Sequence, residues 1–164
     1  MKNDFKKLSY MIMKKSEPNY MLILKKNISI IFSLFVYLRI LKMYKMKGLN
    51  STLQLNKSIN KNINKTKKMK GEISNDTLLN FSMMLVLFYR FFGRLYGETG
   101  NCLERSVPLY SALLYLGFEP KLVIAKPKKR GSLTFMFHAW VEVSSKPVND
   151  FADIRDHYYV LYNY

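Results

Sequence analysis

The apolar periodicity of the chain changes once, near Gly117, and that change narrows the architectures open to it. Before it, apolar residues recur three or four apart. Leu24, Ile28, Ile31, Phe35, Leu38 and Leu41 mark a helix from Tyr20 to about Lys45. Leu78, Leu79, Met83, Leu87 and Phe91 mark another, which Asn75 or Asp76 can cap and which runs to about Tyr96. After Gly117 the pattern is that of strands. Lys121 to Lys126 (KLVIAK) reads as a buried strand and Leu133 to Val143 as a longer aromatic and β-branched one. A turn at Ser144 to Pro147 leads into a returning strand at Val148 to Phe151, and His157 to Tyr162 is strand-like again. Helices followed by a run of antiparallel strands predict an α+β domain.

The remaining segments punctuate this order. Residues 1–18, broken by Pro18, predict a loosely ordered start, and Gly48 and Asn50 are placed to end the first helix. Leu53, Leu55, Ile59 and Ile63 predict a short amphipathic helix that runs into a polar linker from Lys65 to Gly71. Gly97 to Asn101 interrupts the helical pattern. Cys102 then opens a further helix through Leu103, Val107, Tyr110, Leu113 and Leu114, with Gly117 just past its end.

Charge separates the two halves. The net charge is +16, yet residues 1–70 hold 17 Lys or Arg against two acids, Asp4 and Glu17, while residues 71–164 are nearly balanced. The division predicted is a basic, mostly helical extension over 1–70 and a catalytic domain over 71–164. Lys far outnumbers Arg in the basic half, which speaks against phosphate recognition and so against nucleic acid. The basic helices then brace the catalytic core with solvated lysines, dock on an anionic membrane face, or meet an acidic leader or partner. Asn27 to Leu38 and Thr77 to Tyr89 are uncharged runs of 12 and 13 residues, short of the ~20 that a membrane span needs. A single cysteine leaves no internal disulfide and suits a reducing compartment. With no secretory h-region near the start, the expectation is a cytoplasmic protein.

Three polar residues stand where chemistry would want them. Cys102 sits where a Gly-rich loop meets a helix start, and unpaired amides there favour a thiolate. His138 interrupts an apolar strand, and a turn centred on Ser144 and Ser145 sets Asp150 roughly opposite it. Nucleophile, base and orienter would thus meet. An imidazolium about 4 Å from the sulfur contributes about 4 kcal/mol at an effective dielectric near 20, against roughly 0.3–1 kcal/mol for a helix terminus. The histidine is therefore the main activator. Each residue also has a bland explanation: a buried small hydrophobe, a satisfied core histidine, a turn-forming aspartate. His157 is a second candidate base, although Arg155 and Asp156 beside it suggest exposure. A zinc site of Cys102, His138 and His157 lacks the close ligand pair such sites use, so no metal is expected.

The segments CLERSVPLY (Cys102 to Tyr110), GFEPKLVI (Gly117 to Ile124), HAWVEV (His138 to Val143) and PVND (Pro147 to Asp150) together resemble the lasso peptide maturation protease, the B-type protein. That family consists of transglutaminase-like cysteine peptidases, and the resemblance spans roughly residues 79–164. It implies a transglutaminase/papain-like core in which a nucleophile helix packs on an antiparallel sheet. Cys102 would be the nucleophile, His138 the general base and acid, and Asp150 its orienter, with no cofactor. The implied substrate is the leader of a ribosomally made precursor peptide. The implied partners are a separate leader-recognition protein and a macrolactam synthetase that closes the freed N-terminus. Amine-accepting transglutaminase chemistry at the same site is the nearest alternative. A basic membrane or nucleic-acid binding module with an unused triad is the one from another class. Pro108 departs from expectation, since a proline inside a helix costs about 3 kcal/mol or a kink.

Overall fold

The computed structural model describes residues 29–63, 75–128 and 137–164. The expected loose start, the first turns of the leading helix, the Lys-rich linker and the beginning of the longer strand lie outside the described residues. The elements are α1 (Ser29–Ile63), α2 (Asn75–Leu95), α3 (Cys102–Tyr115), β1 (Lys121–Pro127), β2 (His138–Val143), β3 (Lys146–Pro147), α4 (Ile154–His157) and β4 (Tyr158–Asn163). The four strands form one antiparallel sheet in the order β3-β2-β1-β4, so the chain is α+β.

Helix α1 breaks at Gly48, where the sequence places the end of the first helix, and the stretch beyond it is the short helix expected after residue 51. Gly48 takes a left-handed φ of 74° and kinks it, and the helical turns then resume to Ile63. The buried stripe differs from the aliphatic one in the sequence. Ser33, Tyr37, Ile40 and Leu41 are buried, whereas Ile31 and Phe35 are exposed. Two polar contacts draw this face inward: Ser33 Oγ lies 2.6 Å from Tyr89 Oη on α2, and the Tyr37 and Tyr89 rings stack at 5.1 Å. Likewise on α2, Phe81, Leu85 and Tyr89 are buried and Met83 is exposed. Arg39, Lys42 and Lys47 point to solvent from α1. No helix among the described residues is long and apolar enough to cross a membrane.

Helix α3 is central to the packing. Val107, Leu109, Ala112 and Leu113 are nearly inaccessible and share one core with Tyr37, Leu41, Phe81, Leu85, Leu122 and Val141. The helix continues through Pro108, which is itself buried. Its end is set by Gly117, at φ 85°, with Gly117 N donating to Leu114 O and Phe118 N to Leu113 O. This arrangement satisfies the last carbonyls, and it leaves Phe118 stacked on Phe81.

Strand β1 is buried on both faces. It pairs with β2 from Lys121↔Glu142 to Ala125↔His138, and with β4 from Val123↔Asn163 to Pro127↔Tyr158. Val123, Ala125 and Trp140 form a second small core with Ile154. Beneath it, buried Glu142 accepts from Trp140 Nε1 at 2.8 Å and from Arg155 Nε and Nη2 at 2.7 and 2.6 Å. Ser144 and Ser145 both have positive φ, as a tight two-residue hairpin requires, and β3 pairs Glu142↔Pro147 and Val143↔Lys146. The returning strand predicted at Val148 to Phe151 does not form. After Val148 the Asn149 side chain takes the place of a backbone acceptor, with Oδ1 bonded by Val141 N at 2.7 Å, and the chain turns away from the sheet. The short α4 was not anticipated. Strand β4, at the sheet edge, exposes Tyr159 and Tyr162.

Candidate active site

Cys102 is the first residue of α3, and Asn101 is its N-cap: Asn101 Oδ1 accepts from Leu103 N at 3.0 Å and lies 3.6 Å from Cys102 Sγ. The loop ahead of the cysteine is fastened on both sides. Thr99 donates its backbone N and Oγ1 to Glu104 Oε2 at 2.8 and 2.7 Å. Tyr37 Oη donates to Glu98 Oε2 at 2.8 Å, and Lys45 Nζ donates to Gly97 O. Helix α1 thereby reaches across to hold the segment that delivers the thiol. Gly93 permits this, because a Cβ there would stand 2.3 Å from Glu98 Oε2 and 2.9 Å from Tyr37 Oη.

His138 opens β2, and its Nε2 lies 2.6 Å from Asp150 Oδ2, with the side chains 20% and 9% exposed. Nε2 is thus committed to Asp150, which leaves Nδ1 for the thiol of Cys102. The imidazole stacks on Tyr158 at 5.0 Å. Asp150 Oδ1 accepts from Phe151 N at 2.9 Å. The structure therefore brings Cys102, His138 and Asp150 together, although Asp150 arrives from a bend and not from a strand.

The electrostatics of the three groups interlock. Burial pushes the Cys102 thiol up, but hydrogen bonds from His138 and from the Ala139 and Leu103 amides outweigh it and hold the thiol below its usual range. The Asp150 bond, followed by the Cys102 bond, pushes the His138 imidazole up to about 9 against the opposing effect of burial. Burial also pushes Asp150 up, yet the His138 and Phe151 bonds bring it below the usual carboxylate range. The arrangement favours a thiolate beside an imidazolium, the charge state in which a cysteine attacks a carbonyl.

A second tier of side chains was not foreseen. Ser106, fully buried one turn along α3 from Cys102, donates to Ala139 O at 2.9 Å and accepts from Asn149 Nδ2 at 3.0 Å. Asn149 neighbours Asp150, so the helix that begins at Cys102, the strand that begins at His138 and the bend that holds Asp150 are bonded through one serine and one asparagine. Both lie inside segments that mark the resemblance, CLERSVPLY and PVND, but only the fold brings residues 43 apart into contact.

An open cleft of about 740 Å³ adjoins the His138–Asp150 side of the cluster. Arg90, Arg105, Asn149 and Tyr158 contribute to its walls, and Met83, Val86 and Leu87 supply an apolar side. His157 also borders it, 65% exposed and 3.4 Å from Asp153, and is not among the groups that shift the Cys102 thiol. Among the described residues no three His, Cys, Asp or Glu side chains gather as metal ligands.

The model of the transglutaminase-like superfamily matches residues 70–163, more than half of the chain. No curated protein and no solved structure matches it. The matched span contains Cys102, His138, Asp150 and the whole sheet, and the superfamily includes both cysteine peptidases and acyltransferases. On the fold and the family match together, the chain belongs to the transglutaminase-like superfamily.

Proposed function

We propose that this protein is a cysteine peptidase that removes the leader from a ribosomally made lasso peptide precursor. The observation that carries the catalytic part is the 2.6 Å His138–Asp150 contact beside a thiol whose proton is held loosely. The lasso assignment rests on the agreement in order and spacing of CLERSVPLY, GFEPKLVI, HAWVEV and PVND.

In this mechanism the Cys102 thiolate attacks the scissile carbonyl, and the resulting oxyanion is met by the Cys102 amide at the helix start. Imidazolium His138 passes its proton to the leaving amine as the C–N bond breaks, and a thioester remains on Cys102. Water then attacks the thioester, giving a proton to His138, and the carboxylic acid departs as the thiolate is restored. Asp150 holds the ring and favours its charged form. A separate leader-recognition protein and a macrolactam synthetase are the expected partners, one presenting the leader and the other consuming the freed N-terminus.

The test is mass-spectrometric. The precursor peptide, with and without the recognition protein, is incubated with wild type and with Cys102→Ala. One cut that depends on Cys102 is expected, and full cleavage by Cys102→Ala would overturn the assignment. The second reading, acyl transfer to an amine, shares the thioester. It predicts an amine adduct in place of the free acid when a primary amine is added.

A further inference from the structure

The cleft beside the triad has an unusual charge balance. Two arginines, Arg90 from α2 and Arg105 from α3, face it, and its walls contain a single carboxylate, Asp150. Asp150 is already bonded to His138 and to the Phe151 amide. Glu98, a carboxylate that feels both arginines, is held by Tyr37. Neither Arg90 nor Arg105 has a carboxylate within ion-pair distance among the described residues, and Arg105 Nε is buried without any hydrogen-bond partner. A buried guanidinium donor without an acceptor is costly in an isolated protein. Nε itself is closed to solvent, so a ligand in the cleft would meet the other guanidinium nitrogens of Arg105 and those of Arg90, both side chains being half-buried in its wall.

We infer that Arg90 and Arg105 form a carboxylate subsite for the peptide on which Cys102 acts. The planar fork of a guanidinium matches a carboxylate with two parallel bonds, and the apolar residues of α2 would flank the peptide on the other side. Arg105 lies three residues past Cys102 on the same helix, so a bound carboxylate would sit near the scissile bond and fix the register of the chain. This subsite rests on the peptidase reading, since it deepens the substrate class of the same site.

Thiol-directed probes test the subsite without the natural substrate. N-Iodoacetyl-glycine has its carboxylate at the chain end, and N-iodoacetyl-aspartic α-amide has it on a side chain. N-Iodoacetyl-glycinamide and N-iodoacetyl-asparagine amide are their neutral counterparts. Alkylation of Cys102 in the full chain is followed by mass spectrometry for all four. The anionic-to-neutral rate ratio should exceed that of free cysteine for at least one pair, and which pair responds identifies the source of the carboxylate. The ratio should fall about tenfold in Arg105→Gln and in Arg90→Gln. It should fall less in Arg105→Lys, which keeps the charge and loses the fork. It should hold in Lys42→Gln, which removes one positive charge from exposed α1. A ratio no higher than that of free cysteine, or one equally reduced by Lys42→Gln, overturns the subsite. If instead the neutral probes react no faster with wild type than with free cysteine, thiol activation fails and the peptidase reading goes with it, whatever the ratio.

Discussion

Asn149 and Ser106 join the two ends of the candidate site: Asn149 Nδ2 donates to Ser106 Oγ at 3.0 Å, while Asn149 Oδ1 accepts from Val141 N. The bend with Asp150 is thereby referenced to the helix that begins at Cys102. Asn149→Ala removes both bonds and leaves the Val141 amide unsatisfied in a buried strand. The expected loss is about 1–3 kcal/mol, measured by denaturant unfolding. A purely structural role would stop there. A positioning role also raises the apparent pKa of Cys102 seen in alkylation, and an unchanged profile in the folded variant would refute it.

Proton positions give a second prediction. Cys102 is held low and His138 is raised to about 9, so the thiolate–imidazolium pair persists between those limits. Reaction with iodoacetamide should stay fast below the usual thiol range, and cleavage should decline above about pH 9 as His138 loses the proton owed to the leaving amine. Asp150→Asn removes the largest upward influence on His138, so the alkaline decline should move to lower pH. NMR titration of the imidazole checks this directly, and an unmoved His138 contradicts it.

Gly93 offers a test by sign. Gly→Ala inside a helix ordinarily stabilises by about 1 kcal/mol. Here the added Cβ would collide with Glu98 Oε2 and Tyr37 Oη, so Gly93→Ala should lower the unfolding midpoint instead. Tyr37→Phe, which removes only the hydroxyl, should lower stability by about 1 kcal/mol and slow Cys102 alkylation. A stabilised Gly93→Ala protein would mean that α1 does not clamp the loop.

Beneath the sheet, Glu142 gives a pH dependence of opposite origin. Burial pushes it up, but bonds from Arg155 and Trp140 more than offset this and hold it below the usual carboxylate range. Its contribution to stability is present above the ordinary glutamate value and is lost as pH falls through the depressed one. Arg155→Ala should therefore destabilise at pH 7, by less than a fully buried pair would because Arg155 is 48% exposed. It should also flatten the acid limb of stability, as seen in thermal melts from pH 3 to about 7. An acid limb identical to wild type would exclude the bridge.

Much of this was legible in the sequence because the rules involved are local. Gly117 ended α3, and Ser144 and Ser145 made the tight turn that sends the chain back along β2, although Asp150 meets His138 from a bend beyond the last paired residue. What escaped came from side chains acting as backbone. Asn149 replaced a strand acceptor and dissolved the predicted return at Val148 to Phe151. On α1 and α2 the buried stripes include Ser33, Tyr37 and Tyr89, whose hydroxyls are satisfied by one another and by Glu98, so counting apolar residues alone places Leu38, Leu41 and Leu79 correctly but misplaces the exposed Ile31, Phe35 and Met83. The arginines of the cleft were invisible because Arg90 and Arg105 belong to different helices.

The grip of α1 on the loop before Cys102 has a consequence for where the domain begins. The matched superfamily segment begins at residue 70, but the tyrosine and lysine that steady the loop before Cys102, Tyr37 and Lys45, come from outside it. The unit that matches and the unit that must fold are then different lengths of chain. A chain cut back to the matched residues would lose both contacts, so the family match understates the length of chain on which the geometry at Cys102 depends.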